Sequence, residues 1–215
     1  MEKRDRKHLA ILSTACRLFR TQGFGGTSMS QITREVGGSR ATLYSHFPSK
    51  EELFVECMAA AAENYLAGSL QRLGAAAADP AAALRDFGRS LLTFLCAPEQ
   101  VEVRRTMIAE AARSGIGKLF FTKVTSLRTH VARFLGACMA SGTLRPDDPD
   151  LAAEQLAALL EAETLVPLLL RARDATPDAE ELGRAVDRAV SAFLRAYGPD
   201  GPGQCTMVDA EAFST

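Results

Sequence analysis

Two short stretches, Ser28–Val36 and Ser39–His46, are separated by Gly37-Gly38 and followed by Pro48, and this punctuation constrains the chain more than any other feature. Ser28 stands three residues before Gln31, the spacing at which a serine hydroxyl caps the free N–H groups opening a helix. That helix can run only to Val36, because Gly37-Gly38 ends it. Ser39 can cap a second helix from Arg40 to about His46. Helices this short are unstable alone. They must lie against a longer amphipathic partner, and two short helices joined by a glycine turn form a helix-turn-helix unit.

The partner precedes them. Ile11, Leu12, Ala15, Leu18 and Phe19 share one helical stripe, which Gly23 is expected to stop. Ser49-Lys50-Glu51-Glu52 is another capping signal, opening a helix to about Leu73. Proline at the first helical position, where its missing N–H costs nothing, marks further starts. Asp79-Pro80 opens a helix to about Cys96, and Ala97-Pro98 one to about Arg113. After Ser114-Gly115-Ile116-Gly117 a helix runs from about Lys118 to Ser141. Asp148-Pro149 opens one to about Arg173, kinked at Pro167, and Thr176-Pro177 the last, to about Tyr197. No segment alternates as a strand does, and 36 of the 215 residues are Ala. The expected fold is all-α, with about nine helices. Three form an N-terminal unit (1–49), six form a C-terminal domain (50–197), and residues 198–215 form a mobile tail. The Ala75–Ala78 run is expected to be a frayed helix end.

No apolar run approaches the ~18–20 residues that span a bilayer, and the N-terminal charges are followed by an amphipathic pattern rather than a signal-peptide core. A cytoplasmic protein with no membrane partner is expected. The five Cys (Cys16, Cys57, Cys96, Cys138, Cys205) are odd in number, widely spaced and without C-x-x-C. We expect neither a disulfide framework nor a zinc site. Gly37-Gly38-Ser39-Arg40-Ala41 nearly spells a nucleophile elbow, but Ala stands at the last position and a helix, not a strand, precedes it. We expect no catalytic residues, no metal ligands and no cofactor.

Charge is unevenly placed. Residues 1–50 carry nine Lys/Arg and three Asp/Glu, so +6, while residues 51–215 carry sixteen and twenty-three, so −7. A basic head on an acidic body suggests that the head meets a polyanion. A second helix of the expected kind can enter the DNA major groove with its first residues on base edges. Arg40 suits a guanine edge, Thr42 a base edge, and Ala41 close approach; Ser39 opens the helix. Tyr44, Ser45, His46 and Lys50 can donate to phosphates, as can Thr27 and Ser28 at the preceding helix start. Lys3, Arg4, Arg6 and Lys7 are expected to form a basic arm along the backbone.

These residues carry a resemblance. Ile11–Phe54 contains Leu18-Phe19, Gly23-Phe24, Thr27-Ser28-Met29, Ile32, Gly37, Thr42-Leu43-Tyr44, His46-Phe47 and Ser49-Lys50-Glu51-Glu52-Leu53-Phe54. In order and spacing this resembles the DNA-binding domain of the TetR family of bacterial transcriptional regulators. Arg104–Arg113 and Leu144–Gln155 resemble the C-terminal domain of its AefR-like branch. The family more often has Ala at Thr33, a larger apolar residue at Gly38 and Gly at Ala41. The resemblance implies a homodimer on a palindromic operator in double-stranded DNA, released when a small molecule, unidentified here, enters the C-terminal domain.

Expected interface residues are Leu156, Leu159 and Leu160 on one helix and Leu182, Val186, Val190 and Phe193 on the last; the alternative is that these stripes face their own core. Expected pocket residues are Phe87, Leu91, Phe94, Met107 and Phe121, with Arg104, Arg128 and Glu163 as polar groups. Phe120, Phe134, Arg105 and Glu110 are further candidates. A DNA-binding regulator under protein or redox control is the alternative function, and a helical enzyme a remote one.

Overall fold

A computed structural model describes residues 3–75 and 79–199. Most of the alanine run, Cys205 and the tail from Asp200 lie outside the described residues. The chain forms ten helices among the described residues: α1 (Lys3–Gly26), α2 (Met29–Val36), α3 (Arg40–His46), α4 (Lys50–Ala75), α5 (Pro80–Leu95), α6 (Pro98–Ser114), α7 (Ile116–Ala140), α8 (Pro149–Ala162), α9 (Leu165–Leu169) and α10 (Ala179–Tyr197). The local signals act as their chemistry requires. Ser28 accepts from Gln31 N, Ser39 from Thr42 N and Ser49 from Glu52 N. Asp178 and Glu181 form a reciprocal capping box on α10.

Some elements depart from expectation. Gly23, at φ 73° and ψ 174°, does leave the helical conformation, but a further short turn follows it to Gly26, so α1 is broken there rather than finished. The segment from Pro149 is not one kinked helix. It stops at Ala162 and restarts at Leu165, so Pro167 falls in the first turn of α9, where a missing N–H breaks no bond. The basic residues at the N-terminus belong to the first turns of α1.

Two cores organise the chain. The head core holds Ile11, Leu18 and Phe19 of α1, Ile32 of α2 and Leu43 of α3, and continues into Leu53, Phe54 and Val55 of α4. Met107 of α6 and Ile116 of α7 also belong to it, so the boundary expected at residue 49 is crossed by packing. The larger core joins α4, α5, α7, α8 and α10, with Val101 of α6 and Leu165 and Leu168 of α9. Gly88 permits a close approach within it: a Cβ there would stand 3.0 Å from both Leu160 Cδ2 and Val186 Cγ1.

Cys16 and Cys57 correct the cysteine expectation. They form a disulfide, Cα–Cα 5.3 Å, tying α1 to α4. Cys96 and Cys138 are buried and free, and burial pushes both thiols up. No helix among the described residues is long and apolar enough to cross a membrane.

Candidate nucleic-acid interface and interior cavity

Buried Leu43 fixes which side of α3 faces in. Arg40, Ala41, Tyr44 and Ser45 therefore share the exposed side. The Arg40 guanidinium donates to Ser30 Oγ at 2.9 Å, which links the front of α3 to α2. Ser39 and Thr42 hydroxyls lie 2.9 Å apart and satisfy each other at the helix start. Gly37 and Gly38, at φ 69° and 124°, turn the chain between the helices in conformations that side chains resist. Lys7 reaches across from α1 and donates to the carbonyls of Val36 and Gly37. A side chain at Gly38 would meet Lys7 Nζ at 3.4 Å, so the small residue there accommodates this tie.

Not every expected contact residue faces outward. Thr27 is buried and donates its hydroxyl to Gly23 O at 2.9 Å. Lys50 donates to Phe24 O and Thr27 O at 3.0 and 3.2 Å, with its ammonium 4.0 Å from the Phe24 ring centre. Both hold the head together. His46 is half-buried, 5.7 Å from the His8 ring. Desolvation first, then the charges of His8, Arg4 and Lys7, lower its pKa below the usual histidine value. Sequence reading missed Ser30, His8 and the capping role of Lys7. A cationic side chain aligned with a helix C-terminus is the signal for the last, but its partner lies 29 residues away.

The second feature is an interior cavity of about 100 Å³ walled by α4, α5, α6, α7 and α8. Phe87, Leu91, Phe94, Arg104 and Arg128 line it, as does Phe120. The other expected residues do not. Met107 is enclosed in the head core, Phe121 is 60% exposed beside Arg128, and Glu163 is exposed and paired with Arg188. Phe134 sits in the larger core away from the cavity lining, and Arg105 donates to the carbonyls of Leu168 and Leu169 at the end of α9. Glu161 was missed, although it continues the Ala153–Ala157 stripe of α8 at helical spacing. Its carboxyl is pushed up by burial, while Arg104 and Arg128 pull it back.

The expected interface stripes mostly face inward. Leu156, Leu160, Leu182, Val186, Val190 and Phe193 are buried within this chain, and Leu156 and Leu160 help wall the cavity. Leu159 alone of the seven is exposed. It borders an open groove of about 500 Å³ between α8 and α10, with Ala162, Ala192 and the Glu163–Arg188 pair.

Comparison with known proteins agrees with this arrangement. Residues 11–57 match the bacterial regulatory proteins of the tetR family, and residues 82–199 match the AefR-like transcriptional repressor C-terminal domain. The chain is 37% identical over 93 residues to the HTH-type transcriptional regulator LmrA of Bacillus subtilis, covering 43% of this chain and 49% of that one. It spans about half the length of the curated relatives it matches. Among solved structures, a TetR-family transcriptional regulator from Mesorhizobium loti superposes with TM-score 0.75 at 27% identity, over 92% of this chain and all of the other. The flavonoid-responsive regulator FrrA superposes with TM-score 0.65 at 31% identity over the same shares. The SmeT–triclosan complex superposes with TM-score 0.56 at 25% identity, over 93% and 96%. With its helix-turn-helix head and its C-terminal domain both matched, the chain belongs to the TetR family of DNA-binding transcriptional regulators.

Proposed function

We propose that this regulator is a repressor that binds a palindromic operator as a homodimer and is released by a small molecule held in the interior cavity. One observation carries the reading. Val55 is buried in the head core and also lines the cavity, and Met58, one turn on, packs against the first and lines the second. A ligand that moved α4 would move the base of the head. Two relatives of known fold are described by small molecules, FrrA as flavonoid-responsive and SmeT in complex with triclosan. A coupling of ~1–3 kcal/mol between the sites would change operator affinity roughly 5- to 150-fold. The second copy docks on the α8–α10 groove, where Ala162 and Ala192 let backbones approach and Leu159 supplies apolar surface.

The test is selection of bound fragments from a random double-stranded DNA library. Enrichment of a palindrome with half-sites about 34 Å apart supports the reading; no enrichment by a folded dimer overturns it. Ala192→Arg should give a monomer by light scattering and lose operator affinity. An unchanged dimer would move the interface elsewhere.

A second reading has its own observation, the disulfide between α1 and α4. It locks the head to the same helix that borders the cavity, so a thiol oxidant could act where a ligand would. Operator binding that differs between oxidised and reduced protein, with no difference in Cys57→Ser, favours it.

A further inference from the structure

The charges around the cavity are paired or open to solvent, with the exception of two. Arg128 pairs with Glu154 at 3.3 Å and Lys123 with Glu56 at 2.6 Å. Glu63, which also lines the cavity, is exposed to solvent. Arg104 and Glu161 remain. Both line the cavity, and neither has a hydrogen-bond or ion-pair partner among the described residues; the guanidinium lies 5.6 Å from the Phe120 ring centre. Burial pulls Arg104 down and pushes Glu161 up, and each charge steadies the other. The site thus offers a cluster of donors, a carboxylate acceptor, and no net charge between them. Around them Phe87, Leu91, Phe94 and Leu160 form an apolar wall.

From this we infer that the cavity takes an uncharged, single-ring aromatic whose hydroxyl accepts from Arg104 and donates to Glu161. The inference rests on the cavity being the effector site proposed above. A hydroxyl complements both groups at once, because it is donor and acceptor. A carboxylate would satisfy Arg104 but place a second negative charge beside Glu161, and an ammonium would do the reverse; either leaves a buried charge uncompensated. A plain hydrocarbon would leave both polar heads desolvated and unmatched. The volume caps the size: a cavity of ~150 Å³ holds benzene, and this one, about 100 Å³, is smaller, so a single ring is the most it takes and the walls must move apart to admit it.

Calorimetric titration of the full chain with four probes of one shape tests this: 4-ethylphenol, ethylbenzene, 4-ethylbenzoate and 4-ethylbenzylammonium. The phenol should bind at least about tenfold tighter than each of the other three. Arg104→Met should lower phenol affinity to that of ethylbenzene while leaving ethylbenzene binding unchanged, which also shows the cavity still folds. Tighter binding of the benzoate or the ammonium, equal binding of phenol and ethylbenzene, or binding of none overturns the inference. Operator binding measured alongside separates the two readings. A phenol that binds without changing DNA affinity sustains the ligand class and defeats effector control. A benzoate that binds best and releases DNA does the opposite.

Discussion

Replacing Lys50 with methionine separates two roles that its place in the sequence leaves open. Its ammonium donates to Phe24 O and Thr27 O at 3.0 and 3.2 Å and lies over the Phe24 ring. Hydrogen bonds from a charged donor contribute ~1.5–3 kcal/mol each, and a cation over a ring adds ~0.5–1 kcal/mol at an exposed site. Lys50 is only half-buried, and Phe24 O keeps a second donor in Thr27 N, so the low end applies. Methionine preserves the stem over the ring. The variant should therefore lose about 3–4 kcal/mol of unfolding free energy, or about 6–16 °C in Tm for a chain of this size. Urea unfolding followed by circular dichroism reads that loss. Operator affinity against salt reads the alternative: were Lys50 chiefly a phosphate contact, the slope of log affinity against log salt would fall by about 0.9. An unfolding free energy within ~0.5 kcal/mol of the parent's, together with that loss of slope, would refute the structural assignment.

Other features give sharper tests of single interactions. Cys16 and Cys57 are 41 residues apart, and closing a loop of that length restricts the unfolded chain by about 4 kcal/mol. The reduced protein should unfold at correspondingly lower urea, and equal stability of both forms would count against the cross-link. His46 has a lowered pKa in the free protein, and an approaching phosphate raises it. The complex then holds more protons than its parts, so affinity should rise as pH falls from about 8 to 5.5. The same lowered pKa favours the neutral, folded form, so that share of stability is lost as pH falls through it. A flat affinity profile, or one unchanged in His46→Gln, would exclude His46 from the interface. Gly88→Ala should destabilise by ~1–3 kcal/mol, because its methyl meets Leu160 and Val186 at 3.0 Å. An unchanged unfolding midpoint would mean that α5 is free to shift.

The head was legible because its signals are local. Ser28, Ser39, Gly37 and Gly38 act on backbone groups within a turn of themselves, and the caps form where the spacing put them. Lys50, Thr27 and Lys7 are harder to read for the opposite reason. Their side chains carry no mark that separates a phosphate partner from a carbonyl, and for the two lysines that carbonyl lies 23 to 30 residues away. Phosphate oxygens and helix-end carbonyls ask for the same donor. Only the docking of α1 and α4 on the turn decides which one Lys7 or Lys50 meets.

Helical periodicity has a similar blind spot. It says that a residue is inward, but not toward what. Met107 is inward, as expected, yet α6 is shared between two cores and presents Met107 to the head while Arg104, three residues earlier, lines the cavity. Leu156 and Leu160 are inward too, and what they meet there is the cavity. Glu161 reverses the error. Between apolar neighbours a single acidic residue reads as the solvated edge of a helix, whereas α7 and α6 close over it and burial drives its carboxyl up. The residues hardest to read are thus polar groups on apolar helices. Their burial depends on which helices cover them, and in this chain Arg104 of α6 and Glu161 of α8 line one cavity whose other walls are α4, α5 and α7.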